Sequence, residues 1–360
     1  MQALEICSPE ELSDDAIARW LAILAEEPEL DRPFFHPSYF RVLQEVGRPI
    51  EIAQFRDSQG LFGFFPFERY GRSARPVGAR LSDFQGFIAR SDYEGEIANA
   101  LPSCGLSVWH YDHRLVRPEG PEGPDVGAMA ESPYADLSVG FDAFFEAHRR
   151  SGAGWTKQIP RKARKLTREV GELRFEYATD DPSVLTTLRE WKKAQRERTG
   201  TIDPLDESWA SEAVERFLSL EQDDFRGVLS ALYSGDVLIA AHLGLRTEST
   251  LHVWFPAYDP KWERYSPGML FFVELLRAAS RQGIRRVDFG KGDARYKRSL
   301  RSGSSWVSEG CVDRRFLGRF VSRLRYGLRE RFRGGRLAEA SRGPRRRIRR
   351  LVHGWRRPSN

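Results

Sequence analysis

The sequence predicts an α/β fold with a mixed (α+β) sheet, built from two similar halves and followed by a basic helical tail. The first observation is an ordered run at residues 227–299, where three β-rich stretches (228–233, 237–245, 250–257) are parted by Ser234-Gly235-Asp236 and Thr247-Glu248-Ser249. They read as an antiparallel meander, continued by a helix and a fourth strand. The second observation is an earlier hairpin, residues 50–70 around the turn Arg56-Asp57-Ser58-Gln59-Gly60, which repeats the first two strands of the meander in length, turn position and alternation. The third is a tail in which Phe316, Phe320, Leu324, Leu328 and Phe332 step by four among arginines, with Ile348, Leu351, Val352 and Trp355 repeating the pattern.

Taken in order, residues 1–30 read as a strand and a helix, with Ser13 as cap and Ile17, Trp20, Leu21 and Leu24 on one face. A second helix follows Pro33. The hairpin comes next, then a strand-like stretch at 82–89, a helical one at 94–101 and a strand at 105–113, completing a first half of residues 1–135 with a Gly/Pro-rich linker at 119–133. The second half, 136–312, opens with a helix from Phe141, a Gly-rich break and a basic helix after Pro160. A strand at 172–178 precedes two amphipathic helices, one showing Leu185, Leu188 and Trp191, the other Trp209, Ala213, Phe217 and Leu220. After the meander, Ser266 caps and Pro267 begins a helix whose apolar face is Met269, Leu270, Val273, Leu276 and Ala279, stopped by Gly283. The strand 286–289 then ends in Gly290-Lys291-Gly292-Asp293.

A length of 360 residues fits two domains, and 40% apolar with 12% aromatic residues can fill their cores. No apolar run is long enough to span a membrane, and the acidic start, MQALEICSPEELSDD, is unlike a secretory signal, so the expected location is cytoplasmic, with peripheral attachment at the inner membrane face through the tail. Three scattered cysteines make neither a disulfide framework nor a zinc site. The net charge of +6 is unevenly distributed: residues 313–360 hold 17 Arg, no Lys and three carboxylates, a local +14 that leaves −8 on residues 1–312. The apolar stripe of the tail points to an anionic membrane surface or to packing on the body, and argues against nucleic acid as the partner.

Several stretches carry chemistry. Ser266, Pro267, Gly268, Met269 and Leu270 form a helix start whose backbone N–H groups can receive a phosphate, with Gly268 allowing close approach; the bland alternative is an ordinary buried helix start. Asp288 ends a strand where a carboxylate can orient or deprotonate an acceptor, Tyr296 can protonate a leaving group, and Lys291 and Lys297 can hold a substrate anion; alternatively these residues close a solvated turn. His242, His252 and Asp259 lie on or just after the meander strands, as candidate bases or as core and surface residues. Lys157, Arg161, Lys162, Arg164, Lys165 and Arg168 form either a solvated helix face or a phosphate contact. His110 and His113 lack a third ligand at metal spacing. No GxSxG or GxxxxGK[ST] occurs, and Asp288-Phe289-Gly290 lacks the other kinase motifs.

The order strand, strand, strand, helix, strand resembles the acyl-CoA-binding core of the GNAT N-acetyltransferase superfamily. The wording AYDPKWERYSPGMLFFVELLRAASRQGIRRVDFGKGDARYK is similar to the CelD-type branch of FemAB-like acyltransferases, bacterial proteins linked to cellulose and exopolysaccharide synthesis. The likeness covers roughly residues 30–310. It implies tandem GNAT-like domains, acyl-CoA (acetyl-CoA in the first instance) as co-substrate with no metal, and N- or O-transfer to a cell-envelope or exopolysaccharide sugar or its lipid-linked precursor. It implies also that the first half, which shows no counterpart of Ser266-Pro267-Gly268, shapes the acceptor groove. One departure is that 264–269 keeps a single Gly of the Gln/Arg-x-x-Gly-x-Gly/Ala loop. Two other readings stay open: a Fem-type ligase taking an aminoacyl group from tRNA for a peptidoglycan precursor, disfavoured by the acidic body, and a noncatalytic scaffold of a polysaccharide-synthesis complex.

Overall fold

The computed structural model describes residues 2–90, 97–116, 128–200 and 204–314; the amphipathic helices expected in the tail, and most of the Gly/Pro-rich linker, lie outside the described residues. The first half runs β1 (Gln2–Cys7), α1 (Asp14–Glu26), α2 (Pro37–Glu45), β2 (Ile50–Asp57), β3 (Gly60–Tyr70), β4 (Ser73–Arg75), β5 (Ile88–Ala89), α3 (Ile97–Ala100) and β6 (Val108–Val116). After β7 (Ala128–Asp136), α4 (Phe141–Arg150) and α5 (Trp155–Glu169), the opening plan returns. It comprises β8 (Leu173–Glu176), α6 (Pro182–Thr199), α7 (Ser208–Ser219), β9 (Phe225–Ser234), β10 (Val237–Thr247), β11 (Thr250–Tyr258), α8 (Pro267–Arg281) and β12 (Arg286–Asp288). Helix α9 (Arg295–Leu300) and β13 (Gly303–Asp313) end the described chain.

Pairing shows the duplication more plainly than the sequence does. In the first half β1, β2, β3 and β4 pair antiparallel in order and β4 then pairs parallel with β6. In the second, β8, β9, β10 and β11 do the same, and β11 pairs parallel with β12. Both hairpins close with two-residue turns, Asp57 opposite Gly60 and Ser234 opposite Val237. The halves then exchange strands. β7, at the end of the first half, pairs with β12, while β13, at the end of the second, pairs with β6; β7 and β13 also pair with each other. One continuous sheet results, so each half's exposed edge is covered by the other's last strand.

Local chemistry accounts for the elements. Ser13 Oγ accepts the Ala16 N–H at 3.2 Å to cap α1, and Trp20 on its inner face stacks on Phe64 with its Nε1 donating to the Phe35 carbonyl at 2.8 Å. The central core joins both halves: Trp20, Phe34 and Tyr39 lie in one cluster with Phe217, Leu229 and Trp254. A second cluster buries α8 against the other face of the second half, through Leu270, Phe272 and Leu276 with Leu251 and Val253. Several details differ from expectation: of the strand-like stretch 82–89 only Ile88–Ala89 is strand, and the end of the expected linker belongs to β7. Helix α5 starts at Trp155 and runs through Pro160, its sixth residue, instead of beginning after it. Ser266 makes no side-chain cap; it sits at φ 59°, ψ 55°, turning the chain sharply from the 3-10 segment Pro260–Tyr265 into α8.

Candidate active site

The parallel pairing of β11 and β12 is only three rungs long and ends at His252 opposite Asp288. Beyond that rung β11 stays with β10, where Asp259 N–H reaches the Ile239 carbonyl at 3.1 Å, while the chain after β12 follows β7, with Phe289 N–H on the Pro133 carbonyl at 3.0 Å. The two strands therefore splay. On the α8 face, the opening is walled by Phe272, Phe289 and Tyr296, with Phe272 and Tyr296 stacked at 4.4 Å.

A cavity of about 1190 Å3 leads to this wall, bounded by Pro256 to Tyr258 at the end of β11, the start of α8, and faces of α5, α6 and α9. Its charge is one-sided: Lys162, Lys192, Arg198, Arg295, Arg298 and Arg301 line it against the single carboxylate of Glu263. Arg298 and Arg301 are paired, with Asp293 and Glu131. Among the described residues the other four have no carboxylate partner within salt-bridge distance. Burial, with nearby Arg196, lowers the Lys192 amine to about 8. An anion in this cavity would meet four cations that have no carboxylate partner among the described residues.

Ser266, Pro267, Gly268 and Met269 line the cavity as the sequence placed them, whereas Leu270 points into the core at 3% exposure. The helix start offers less backbone than expected. Pro267 has no N–H, and the Met269 and Leu270 N–H groups both bond to the Ser266 carbonyl at 3.0 and 3.1 Å, so Gly268 carries the free donor. Side-chain charge therefore makes up the rest of an anion site. Lys162, from the basic cluster on α5, donates to Ser266 Oγ, while Lys165 and Arg168 of that cluster turn to Glu169.

The remaining candidates separate. Asp288 is fully buried and clamps the halves together: Arg32 of the first half donates to it and also to Ser305 Oγ at 2.8 Å and Glu29 at 2.9 Å, and Ser132 Oγ donates to it at 3.4 Å. A carboxylate so engaged acts as a counter-ion between the halves, with its oxygens already taken up by Arg32 and Ser132. His242 is fully buried against Phe271 with neither ring nitrogen partnered, and burial, then the neighbouring His252, lowers it to about 3. Such an imidazole is neutral at physiological pH and out of an acceptor's reach. Asp259 accepts the Lys261 N–H at 3.0 Å and caps the 3-10 turn before Ser266. Lys297 donates to the Gly290 and Lys291 carbonyls at 2.9 and 3.0 Å, holding the turn, and Lys291 donates to the Asp112 carbonyl at 3.0 Å. Tyr296 faces the cavity. Burial first, then Asp83, raises its phenol well above the ordinary value, so it keeps its proton and can donate a hydrogen bond.

Sequence reasoning missed Asp83, whose carboxylate takes a 2.9 Å hydrogen bond from His252 Nε2, and also Lys192, Arg198 and Arg295. Nothing local to these residues signals their convergence. No group of three His, Cys, Asp or Glu among the described residues is arranged to hold a metal.

Residues 154–298, which contain most of the cavity lining and all of α8, match the family model for an acetyltransferase (GNAT) domain. The fold is a tandem GNAT fold. Among solved structures, FemX aligns over 86% of this chain and 96% of its own with a TM-score of 0.53 at 10% identity. The DUF2156 C-terminal domain of a candidate lysylphosphatidylglycerol synthetase from Agrobacterium fabrum aligns over 86% and 94%, with a TM-score of 0.50 at 13% identity. These likenesses are of fold. No curated protein matches the chain in sequence. Within this GNAT frame, the cavity lies on the side of the parallel pair where α8 crosses over.

Proposed function

We propose that this protein is an acyl-CoA-dependent acyltransferase, acetyl-CoA being its first expected donor, acting on an amine or hydroxyl of a cell-envelope or exopolysaccharide sugar or its lipid-linked precursor. The observation that carries the reading is the cation-lined cavity ending at a strand splay walled by Tyr296. Lys162, Lys192, Arg198 and Arg295, with the Gly268 N–H, would hold the donor's phosphates, and the apolar wall of Pro256, Phe271 and Phe272 its uncharged arm. The donor supplies an activated thioester. This chain's own groups do the rest: β11 backbone N–H groups beyond the splay would polarise the acyl carbonyl, and the Tyr296 hydroxyl would hydrogen-bond the departing thiolate.

The cationic cavity also favours a second reading, an aminoacyl-tRNA donor, since the acidic balance of residues 1–312 conceals a locally basic mouth. The sugar acceptor and the attachment of the Arg-rich tail to an anionic membrane belong to the proposal, and among the described residues no helix is long and apolar enough to cross a membrane. Thermal unfolding with acetyl-CoA, longer acyl-CoAs, charged tRNA and buffer tests the donor. At 100 times its dissociation constant a ligand stabilises by about 2.7 kcal/mol. A Cβ at Gly268 would lie 3.4 Å from the Tyr258 ring, so Gly268→Trp obstructs the mouth. The expected result is a shift with acyl-CoA that this variant loses; a shift with charged tRNA alone transfers the reading to the ligase.

A further inference from the structure

The sheet has two faces at the splay, and only one is accounted for by the donor cavity. Along β11, Leu251 and Val253 pack in the α8 cluster, whereas His252 and Trp254 turn to the first half. His252 meets the Phe34 ring edge at 4.8 Å and the Phe84 ring at 5.9 Å, and Trp254 Nε1 donates to the Leu81 carbonyl at 3.0 Å. The loop between Leu81 and Phe84 is thereby held on the last paired rung of β11, and Asp83 is brought against the splay from the face opposite α8.

There the Asp83 carboxylate accepts the His252 Nε2 hydrogen at 2.9 Å, while its other oxygen lies 3.9 Å from His113 Nε2. With Nε2 protonated, His252 Nδ1 is a bare acceptor. That atom has no partner although the side chain is fully buried, and an unsatisfied buried group in a native site calls for a functional reason. The Asp83 side chain is 26% exposed, so a molecule arriving on this face can reach it. Gly290 completes the arrangement: at φ +71°, a Cβ there would stand 3.2 Å from Asp83 Oδ2 and 3.4 Å from His252 Cε1. The glycine that starts the divergence from β11 thus lets the pair sit at the apex. The surrounding charges are Asp112 and His113 from β6, Glu309 from β13, and Lys291, Tyr296 and Lys297 from the turn and α9.

We propose that Asp83 is the catalytic base for the acceptor and His252 its positioning residue, the acceptor amine or hydroxyl entering from the first-half face opposite the donor. The inference rests on the acyl-CoA reading of the cavity. The acceptor's nitrogen or oxygen forms the new bond to the acyl carbon as the carbon–sulfur bond breaks, and the acceptor proton passes to the free oxygen of Asp83. The sulfur leaves as thiolate, hydrogen-bonded by Tyr296, and takes a proton from water, to which Asp83 returns its own. A carboxylate suffices because that proton becomes acidic only as the new bond forms. Burial raises the Asp83 carboxyl, but the His252 hydrogen bond and the nearby cations outweigh it and hold it below its usual value, keeping it ionised.

The test uses hydroxylamine as a small acceptor with acetyl-CoA, followed as acetohydroxamate. Wild-type protein should exceed the uncatalysed rate, and Asp83→Asn should lower kcat about 100-fold with unchanged KM and thermal shift for acetyl-CoA. Asp83→Glu should recover part of the rate. His252→Phe removes the hydrogen bond that lowers Asp83 while keeping an aromatic ring in the packing, so the acid limb of the pH–rate profile should move to higher pH, a change that loss of packing alone does not make. The inference is overturned by an Asp83→Asn rate within threefold of wild type, by loss of the acetyl-CoA shift in that variant, or by no catalysed transfer in a wild-type protein that acetyl-CoA stabilises. Absence of that stabilisation in the wild type removes the donor reading and this inference with it.

Discussion

The two halves share one strand plan and differ in what crosses between their parallel strands. In the second half β11 has nine residues and the fifteen-residue α8 carries the chain to β12, leaving a splay and a cavity at the helix start. In the first half β4 has three residues, and the described crossover to β6 consists of short turns, the two residues of β5 and the four of α3. A strand that short cannot diverge from its neighbour far enough to admit a ligand. What the first half contributes instead is the loop carrying Asp83 and the guanidinium of Arg32, both directed at its partner. Among the described residues, the first half thus serves as a wall and a source of side chains for the second.

The comparison can be broken hardest at the junction. Arg32→Met leaves Asp288 buried beside a lost partner and should destabilise the protein by about 3–5 kcal/mol, measured by urea unfolding. Arg32→Met with Asp288→Leu should recover most of that loss, because neither charge is then stranded; if the double variant also keeps its activity, a catalytic role for Asp288 is excluded. Next come the cations confined to the second half. Lys162→Ala, Lys192→Ala or Arg295→Ala should each weaken acetyl-CoA binding by about 1.5–3 kcal/mol, read by calorimetry, with little change in the unliganded melting temperature.

The buried imidazole of the second half sharpens the contrast by pH. His242 titrates near 6.5 when unfolded and at about 3 when folded, so the unfolded chain binds the extra proton between those values. Stability present above pH 6.5 is therefore lost as pH falls toward 3, by about 1.4 kcal/mol per pH unit in the steepest part. His242→Leu should flatten that acid limb and leave stability above pH 7 nearly unchanged in a pH series of melts. The smallest effect belongs to Ser266, a non-glycine residue at φ 59°. Ser266→Gly should relieve roughly 1 kcal/mol of backbone strain and raise the melting temperature by a degree or two, while loss of the Lys162 contact weakens acetyl-CoA binding several-fold at most.

Much of this was legible in the sequence because it is written locally. The meander from β9 to β11, the two-residue turns, the Ser13 cap and the run of α8 to Gly283 depend on alternation, helical period and turn chemistry within a dozen residues. The helix start at Ser266 to Met269 was found for the same reason. The strand exchange was not legible, since β13 and β6 are separated by almost two hundred residues and each reads simply as a strand. Asp83 lay in a stretch, 82–89, read as a strand, and His252 was one of two strand histidines; a 2.9 Å contact across 169 residues separates their roles.

By itself, then, the chain determined its elements, its duplicated strand plan, the helix start at 266–269 and the opposed charges of body and tail, because propensity, period and turn preference act between near neighbours. Tertiary structure alone decided that Asp288 serves as a clamp, that His242 is sealed and neutral, that cations from α5, α6 and α9 converge on one cavity, and that Asp83 meets His252 at the splay. Those outcomes depend on burial and on distances between groups remote in sequence, and desolvation and Coulomb interactions are set by where a side chain ends, not by which residues flank it.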